Sequence, residues 1–175
     1  GYTDEIKSNI PIKYLGKDEE ILKTYDKKKT KLLLGIGINI KLRKKIINKF
    51  KGYQFLSLID QDSIVYKNCN IGDGTVIFPG TIIGPNVKIG SFCVVHHSVV
   101  LEHDVKISQN SYIGPSAVVC GNAKIGENVL IGANSTMIEK TFIKKNCKLG
   151  AGSVLIKSFK FENKSLIGIP AKIKK

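Results

Sequence analysis

The sequence predicts a parallel β-helix. Every sixth residue from Ile59 to Leu155 is aliphatic, running Ile59, Val65, Ile71, Ile77 and on without a break to Met137, Ile143, Leu149 and Leu155. Four residues after each, the side chain is small, as at Ser63, Cys69, Thr75 and Val87. Glycine often follows the aliphatic residue, as in Ile71-Gly72, Ile83-Gly84, Ile125-Gly126 and Ile131-Gly132. A beat of this length marks a solenoid of stacked coils. Each hexapeptide supplies one short strand and one turn, and three close a triangular coil that rises about 4.8 Å. Sixteen hexapeptides run from Ile59 through Val154, a little over five coils. The aliphatic residue is expected to point inward and stack on its equivalents. No insertion breaks the phase, so no long loop is expected to leave the prism.

Residues 1–58 do not follow the beat. Residues 17–28 are charged and helix-like, with Ile21, Leu22 and Tyr25 on one side. Residues 30–34 read as a buried strand around Leu32-Leu33-Leu34, ended by Gly35-Ile36-Gly37. Asn39 suits the N-cap of a helix running to about Phe50, with Leu42, Ile46, Ile47 and Phe50 at helical spacing. Residues 53–58 form a second strand. Strand, helix, strand is a piece of an α/β layer with a parallel sheet. A nucleotide-binding unit of that kind carries a Gly-rich phosphate turn after its first strand. The candidate here is Gly35-Ile36-Gly37, which reads equally as a tight strand-to-helix turn. The unit reads as N-terminally incomplete, and a start at Gly1 rather than Met suggests a piece of a longer chain. Three regions are expected: a partial α/β unit over 1–58, the β-helix over 59–157, and a cap over 158–175.

Composition narrows the function. The chain has 175 residues and a net charge of +14, with lysine far ahead of arginine. A nucleic-acid partner is disfavoured, because the lysines are scattered and no aromatic-plus-basic motif accompanies them. Polyanionic small ligands fit the charge, and so does a composition rich in Ile, Lys and Asn. No run of about 18 apolar residues occurs, so no membrane span is expected. The start Gly1-Tyr2-Thr3-Asp4-Glu5 has neither the basic nor the apolar region of a secretory signal. Of four cysteines, Cys69, Cys93 and Cys147 take the small inward position, and Cys120 follows an aliphatic residue. No CxxC pair occurs, so the thiols read as core fillers suited to a reducing cytosol.

The chain has only three histidines: His96, His97 and His103. His97 and His103 share a phase in successive hexapeptides, so they fall on adjacent corners and do not suit one metal ion. A metal-dependent β-helix enzyme of the carbonic anhydrase type needs more ligands, and no metal is expected. His103 lies between Glu102 and Asp104. An imidazole beside a carboxylate suits a general base, because the acid fixes the tautomer and raises basicity. A solvated polar turn explains the same string. Gly121 follows His103 by one coil of 18 residues. Its amide could face a developing oxyanion, and base plus donor on one ridge suit acyl transfer. A plain turn glycine is the other reading.

Three strings carry a family resemblance: Val99-Val100-Leu101-Glu102-His103-Asp104, the run AVVCGNAKIG over 117–126, and Gly168-Ile169-Pro170-Ala171-Lys172. They resemble the left-handed β-helix sugar acetyltransferases. The UDP-4-amino-sugar N-acetyltransferases of bacterial glycan biosynthesis are nearest, with the sialic acid O-acetyltransferases as relatives. The segment around Gly35-Ile36-Gly37 and Leu42-Arg43-Lys44-Lys45-Ile46 is similar to the family's Rossmann-like nucleotide-sugar domain. The resemblance implies a left-handed helix, which periodicity does not reveal.

It also implies roles. His103 would be the general base, Asp104 would orient it, and the Gly121 amide would hold the thioester oxygen. Acetyl-CoA would be the co-substrate, lying between neighbouring prisms of a homotrimer against Tyr112, Ala133 and Ala151. Its adenine end would reach Gly168, Pro170 and Lys172, where Lys157, Lys160, Lys174 and Lys175 add charge. Asp4, Glu5 and Gly37 would contact the nucleotide sugar, and His96 and His97 would approach the acceptor. Tyr112 stands where relatives often carry a histidine, and His96-His97 where they commonly have Asn-Thr. Direct transfer in a cytoplasmic enzyme is implied, with no acyl-enzyme. Sugar O-acetylation and a non-catalytic β-helix scaffold are the alternatives.

Overall fold

The structure is a computed structural model that describes residues 1–174; Lys175 lies outside the described residues. From Leu58 to Leu155 the chain forms seventeen strands of two residues each, β3 (Leu58–Ile59) to β19 (Val154–Leu155). From β3 to β16, each pairs in parallel with the strand three further on, so Val100↔Val118 and Leu101↔Val119 are partners one coil apart. Three parallel sheets result, of six, five and eight strands. They form the faces of a solenoid of about six turns.

The beat explains the core. Ile83, Leu101, Val119, Met137 and Leu155 stack up one face, each almost inaccessible to solvent. Ile89, Ile107, Ile125 and Ile143 do so on the second. The small fourth residues fill the corners, and their hydroxyls are satisfied: Thr75 donates to the Gly90 carbonyl at 2.9 Å and Ser111 to Gly126 at 2.8 Å. A glycine after the aliphatic residue has a steric reason at Gly114, where a Cβ would stand 2.7 Å from the Ala133 nitrogen of the next coil. The first coil departs from the expectation of an inward column. Ile59 remains 45% exposed because no coil lies below it.

A second regularity fixes the corners. Three residues after the aliphatic position, the backbone takes a positive φ: 61° at Asn86, 60° at Asp104, 52° at Asn110 and 56° at Asn128. Asparagine and aspartate tolerate this left-handed conformation better than other side chains. Phe92, Ser98, Ser116 and Lys140 take the same conformation at equivalent corners, so the coil geometry imposes it even where the residue does not favour it.

The N-terminal unit is smaller than expected. Helix α1 spans Asp18–Thr24 only, and strand β1 only Lys31–Leu32. Helix α2 (Ile40–Lys49) starts as predicted, with Asn39 Oδ1 accepting from the Leu42 amide at 3.0 Å. Strand β2 (Gln54–Phe55) pairs in parallel with β1. Leu58, assigned above to this unit, opens the solenoid instead. The described residues hold one β-α-β unit rather than a doubly wound sheet. Its core of Ile21, Leu34, Phe50, Tyr53 and Phe55 is separate from that of the prism.

Arg43 joins the two. It is 1% exposed, and burial pushes its pKa down. The guanidinium donates to the carbonyls of Ile36 and Phe92 and, from Nε, to Asn110 Oδ1 at 3.1 Å. Asn110 continues through Asn128 to Asn146 as a column of side-chain amides at 2.8 and 3.1 Å. Arg43→Met would orphan these buried acceptors at about 1–3 kcal/mol each. Hydrogen exchange should show lost protection over 40–49 with the prism unaffected; unchanged protection there would refute the docking role.

The C-terminal segment does more than cap. Strand β20 (Ser165–Ile167) extends the eight-stranded sheet in parallel with Lys148–Leu149, burying Leu166. Strand β21 (Lys172–Ile173) then folds back antiparallel on it. No helix among the described residues is long and apolar enough to cross a membrane.

Candidate active site

Three corners alternate around the prism, and the expected site residues fall mainly on two of them. The first holds Glu102, His103 and Asp104. The left-handed backbone of Asp104 turns its carboxylate back, and Oδ2 lies 2.9 Å from His103 Nδ1. A carboxylate can only accept here, so Nδ1 carries the proton and Nε2 the lone pair in the neutral ring. Hydrogen bonding from His103 holds Asp104 below the ordinary carboxylate range, aided by Asn86 and by the charges of His103 and Lys106. Both side chains remain accessible, at 56% for His103 and 42% for Asp104.

Gly121 lies directly against the imidazole. A Cβ there would be 2.5 Å from His103 Nε2 and 2.7 Å from Cε1. Its amide is not an open donor as expected, since it donates to Glu102 Oε2 at 2.8 Å. Cys120, at the Glu102 position one coil on, is half-buried and free. Burial, then the charges of Glu102 and Glu139, push its thiol up, which disfavours the nucleophilic thiolate.

The second corner gathers aromatic rings. Phe78 stacks on His96 at 4.5 Å, and His96 meets Tyr112 at 5.9 Å. The Nδ1 atoms of His96 and His97 lie 2.8 Å apart, within hydrogen-bond distance when one ring carries its proton there. Ala133 and Ala151 continue the His97 column, and Gly168 is held two residues from Ala151 by the Ser153 hydroxyl at 3.0 Å. Burial raises the Tyr112 phenol, which keeps its proton for donation.

Burial, and then the charge of His97, hold the His96 pKa down. The unfolded chain therefore binds this proton more readily than the folded one. The resulting stability is full above the ordinary histidine value and is lost as pH falls toward the folded value. The melting temperature should drop from about pH 7.5 to about pH 5, and less steeply in His96→Gln. Equal slopes in the two proteins would remove His96 as the cause.

A cavity of about 290 Å³ opens at the C-terminal end, lined by Leu155, Lys157, Phe159, Pro170, Ala171 and Lys172. Ile156 and Lys157 occupy the corner column of Glu102 and His103, three coils further on. At about 4.8 Å per coil this puts the cavity roughly 14 Å along the same edge from the imidazole.

Some expected residues do not join these groups. Asp4 accepts a hydrogen bond from Tyr14 through its carbonyl, and Glu5 pairs with Lys17 at 3.2 Å. Neither is bonded to Gly37 or to the His103 corner among the described residues. Nothing lies within 4 Å of a Cβ at Gly35 or Gly37, so the turn faces open space. Among the described residues, no three His, Cys, Asp or Glu side chains are placed to hold a metal ion.

Comparison with known proteins agrees with this picture. A family described as bacterial transferase hexapeptide (six repeats) matches residues 80–115 and 104–139. The hexapeptide repeat of succinyl-transferase matches 64–95 and 122–157. No curated protein matches the chain. Among solved structures, PerB from Caulobacter crescentus in complex with CoA and GDP-perosamine is 26% identical, with a TM-score of 0.85 over 91% of this chain and 77% of that one. The acetyltransferase domain of PglB from Neisseria gonorrhoeae, in complex with acetyl coenzyme A, is 22% identical with a TM-score of 0.91 over 98% and 84%. WeeI from Acinetobacter baumannii is 21% identical with a TM-score of 0.70 over 98% and 84%.

Repeat and prism are similar to those of the bacterial hexapeptide transferases. Among the solved structures the chain resembles is a GDP-perosamine N-acetyl transferase from Caulobacter crescentus in complex with CoA and GDP-perosamine, at 25% identity.

Proposed function

We propose that the chain is an acetyl-CoA-dependent N-acetyltransferase acting on a nucleotide-linked amino sugar of the UDP-4-amino-sugar type, in bacterial glycan biosynthesis. One observation carries this reading: an imidazole held by Asp104 through Nδ1, its side chain 56% exposed, stands on the same edge as a basic cavity, roughly 14 Å away. An extended pantetheine arm has a reach of that order. The thioester then lies at His103 while the adenine end rests against Gly168, Pro170 and Lys172. PerB, at 26% identity, binds CoA and a nucleotide-linked amino sugar, which supports the same pair of substrates here.

The amine nitrogen attacks the thioester carbonyl, and its proton passes to His103 Nε2. Asp104 stabilises the imidazolium through Nδ1. As the C–S bond breaks, that proton returns to the CoA sulfur. The Gly121 amide serves the oxyanion once Glu102, on an exposed side chain, swings aside. In a homotrimer, the Tyr112, Ala133 and Ala151 edge of one prism faces the His103 edge of the next. His96 and His97 border the acceptor, and Asp4, Glu5 and Gly37 belong to the nucleotide side; the open space over Gly37 supports that placement. A cytoplasmic location fits both substrates and four free thiols.

The test is release of CoA thiol from acetyl-CoA in the presence of UDP- and GDP-linked 4-amino sugars. Thiol release that requires the sugar is expected. CoA binding without release on any acceptor would overturn the reading.

A further inference from the structure

The five-stranded face carries a ladder of like charges. Its strands begin with Asn70, Lys88, Lys106, Lys124 and Phe142, and the register places them directly opposite one another. Three lysines therefore stack at successive coils, all exposed. Like charges opposite one another in a sheet are destabilising. No salt bridge to any of the three occurs among the described residues. The face also holds a groove of about 570 Å³ in which Lys106, Lys124, Lys144 and Lys145 outnumber Glu127 and Glu162, the latter paired with Lys145 at 3.5 Å.

The position of the ladder is informative. Lys106 is three residues from His103, which at about 3.3 Å per residue puts their Cα atoms no more than ~10 Å apart. Its charge reaches the dyad, since it helps hold Asp104 low. On the far side of the face is the Asn110 corner, where Arg43 clamps the Ile36 carbonyl of the Gly35-Ile36-Gly37 turn. The lysines thus stand between the base and the docked N-terminal unit.

We propose that Lys88, Lys106 and Lys124 form the cradle for the diphosphate of the nucleotide-linked acceptor, with the sugar toward His103 and the nucleoside toward the N-terminal unit. This rests on the acetyltransferase reading above. The ladder matches a short polyanion whose charges are spaced by a few ångströms, and the ligand relieves the repulsion built into the sheet.

The test is titration calorimetry on the full chain with UDP, GDP, inorganic pyrophosphate and CoA, at fixed ionic strength. In the Lys106→Gln/Lys124→Gln double variant, Kd for UDP or GDP and for pyrophosphate should rise about tenfold or more, with Kd for CoA unchanged. The variant should melt no lower than the parent, because it loses repulsion and no core contact. Loss of CoA affinity with unchanged UDP and GDP binding would assign the face to the cofactor and overturn the proposal. Unchanged affinity for all four probes would make the ladder a solvated surface and overturn it too. These readouts do not use turnover. An absent acetyltransferase activity would therefore leave a nucleoside-diphosphate site standing, whereas lost acceptor binding would not touch the chemistry at His103.

Discussion

His103→Ala is expected to lower kcat by roughly 10²–10⁴-fold, the range a positioned general base contributes. The KM for acetyl-CoA should move little. The imidazole is exposed and packs against Gly121 rather than the core, so the melting temperature should stay near that of the parent. Asp104→Asn separates two roles. Its amide can accept from Nδ1–H but cannot stabilise the imidazolium by charge. Activity should therefore fall less than in His103→Ala, and the acidic limb of the pH–rate profile should shift. A His103→Ala enzyme that keeps full turnover would remove the dyad from the chemistry, whatever the variant binds.

Gly121→Ala carries the second large effect, and it arises from one methyl group. The backbone at Gly121 is not in the left-handed region, so alanine is conformationally acceptable there. The added Cβ would occupy the space of His103 Nε2, at 2.5 Å. The ring must rotate, and either the Nδ1 bond to Asp104 or the aim of Nε2 is lost. Turnover should drop at least about tenfold, since misplacement of about 1 Å costs up to 10²-fold. Unfolding should be nearly unchanged, because the displaced ring is solvent-exposed. Retained turnover would mean that His103 acts from a different rotamer. Serine at the same position should behave like alanine, whereas Glu102→Ala should free the Gly121 amide and leave the ring in place.

Much of this arrangement was legible in the residues. The aliphatic beat locates the prism, and a spacing of eighteen residues puts Gly121 beside His103. The same count, applied to lysine, would have put Lys88, Lys106 and Lys124 in one column, although along the chain they read as scattered. Asparagine three residues after the aliphatic position is a corner signal along the chain. Other features had no local signature. Arg43 sits among Lys41, Lys44 and Lys45 on an α2 that reads as a solvated basic helix, and its burial depends on a corner 67 residues away. The Glu102 bond to the Gly121 amide depends on a side-chain rotamer. The short α1 and β1 reflect a small unit with few partners, where local apolar runs outlast the pairing available to them.

The pairing pattern also governs how the chain assembles. Every strand of the prism finds its partner one coil away in sequence, never across the molecule. Loop closure is thus the same modest entropic step repeated coil after coil. A growing chain can lay down each coil on the one before it, as repeat proteins do. Each finished coil presents a raw strand edge until the next arrives. At the last coil β21 returns antiparallel on β20 and covers the edge of the eight-stranded sheet, so the stack does not present another parallel strand there.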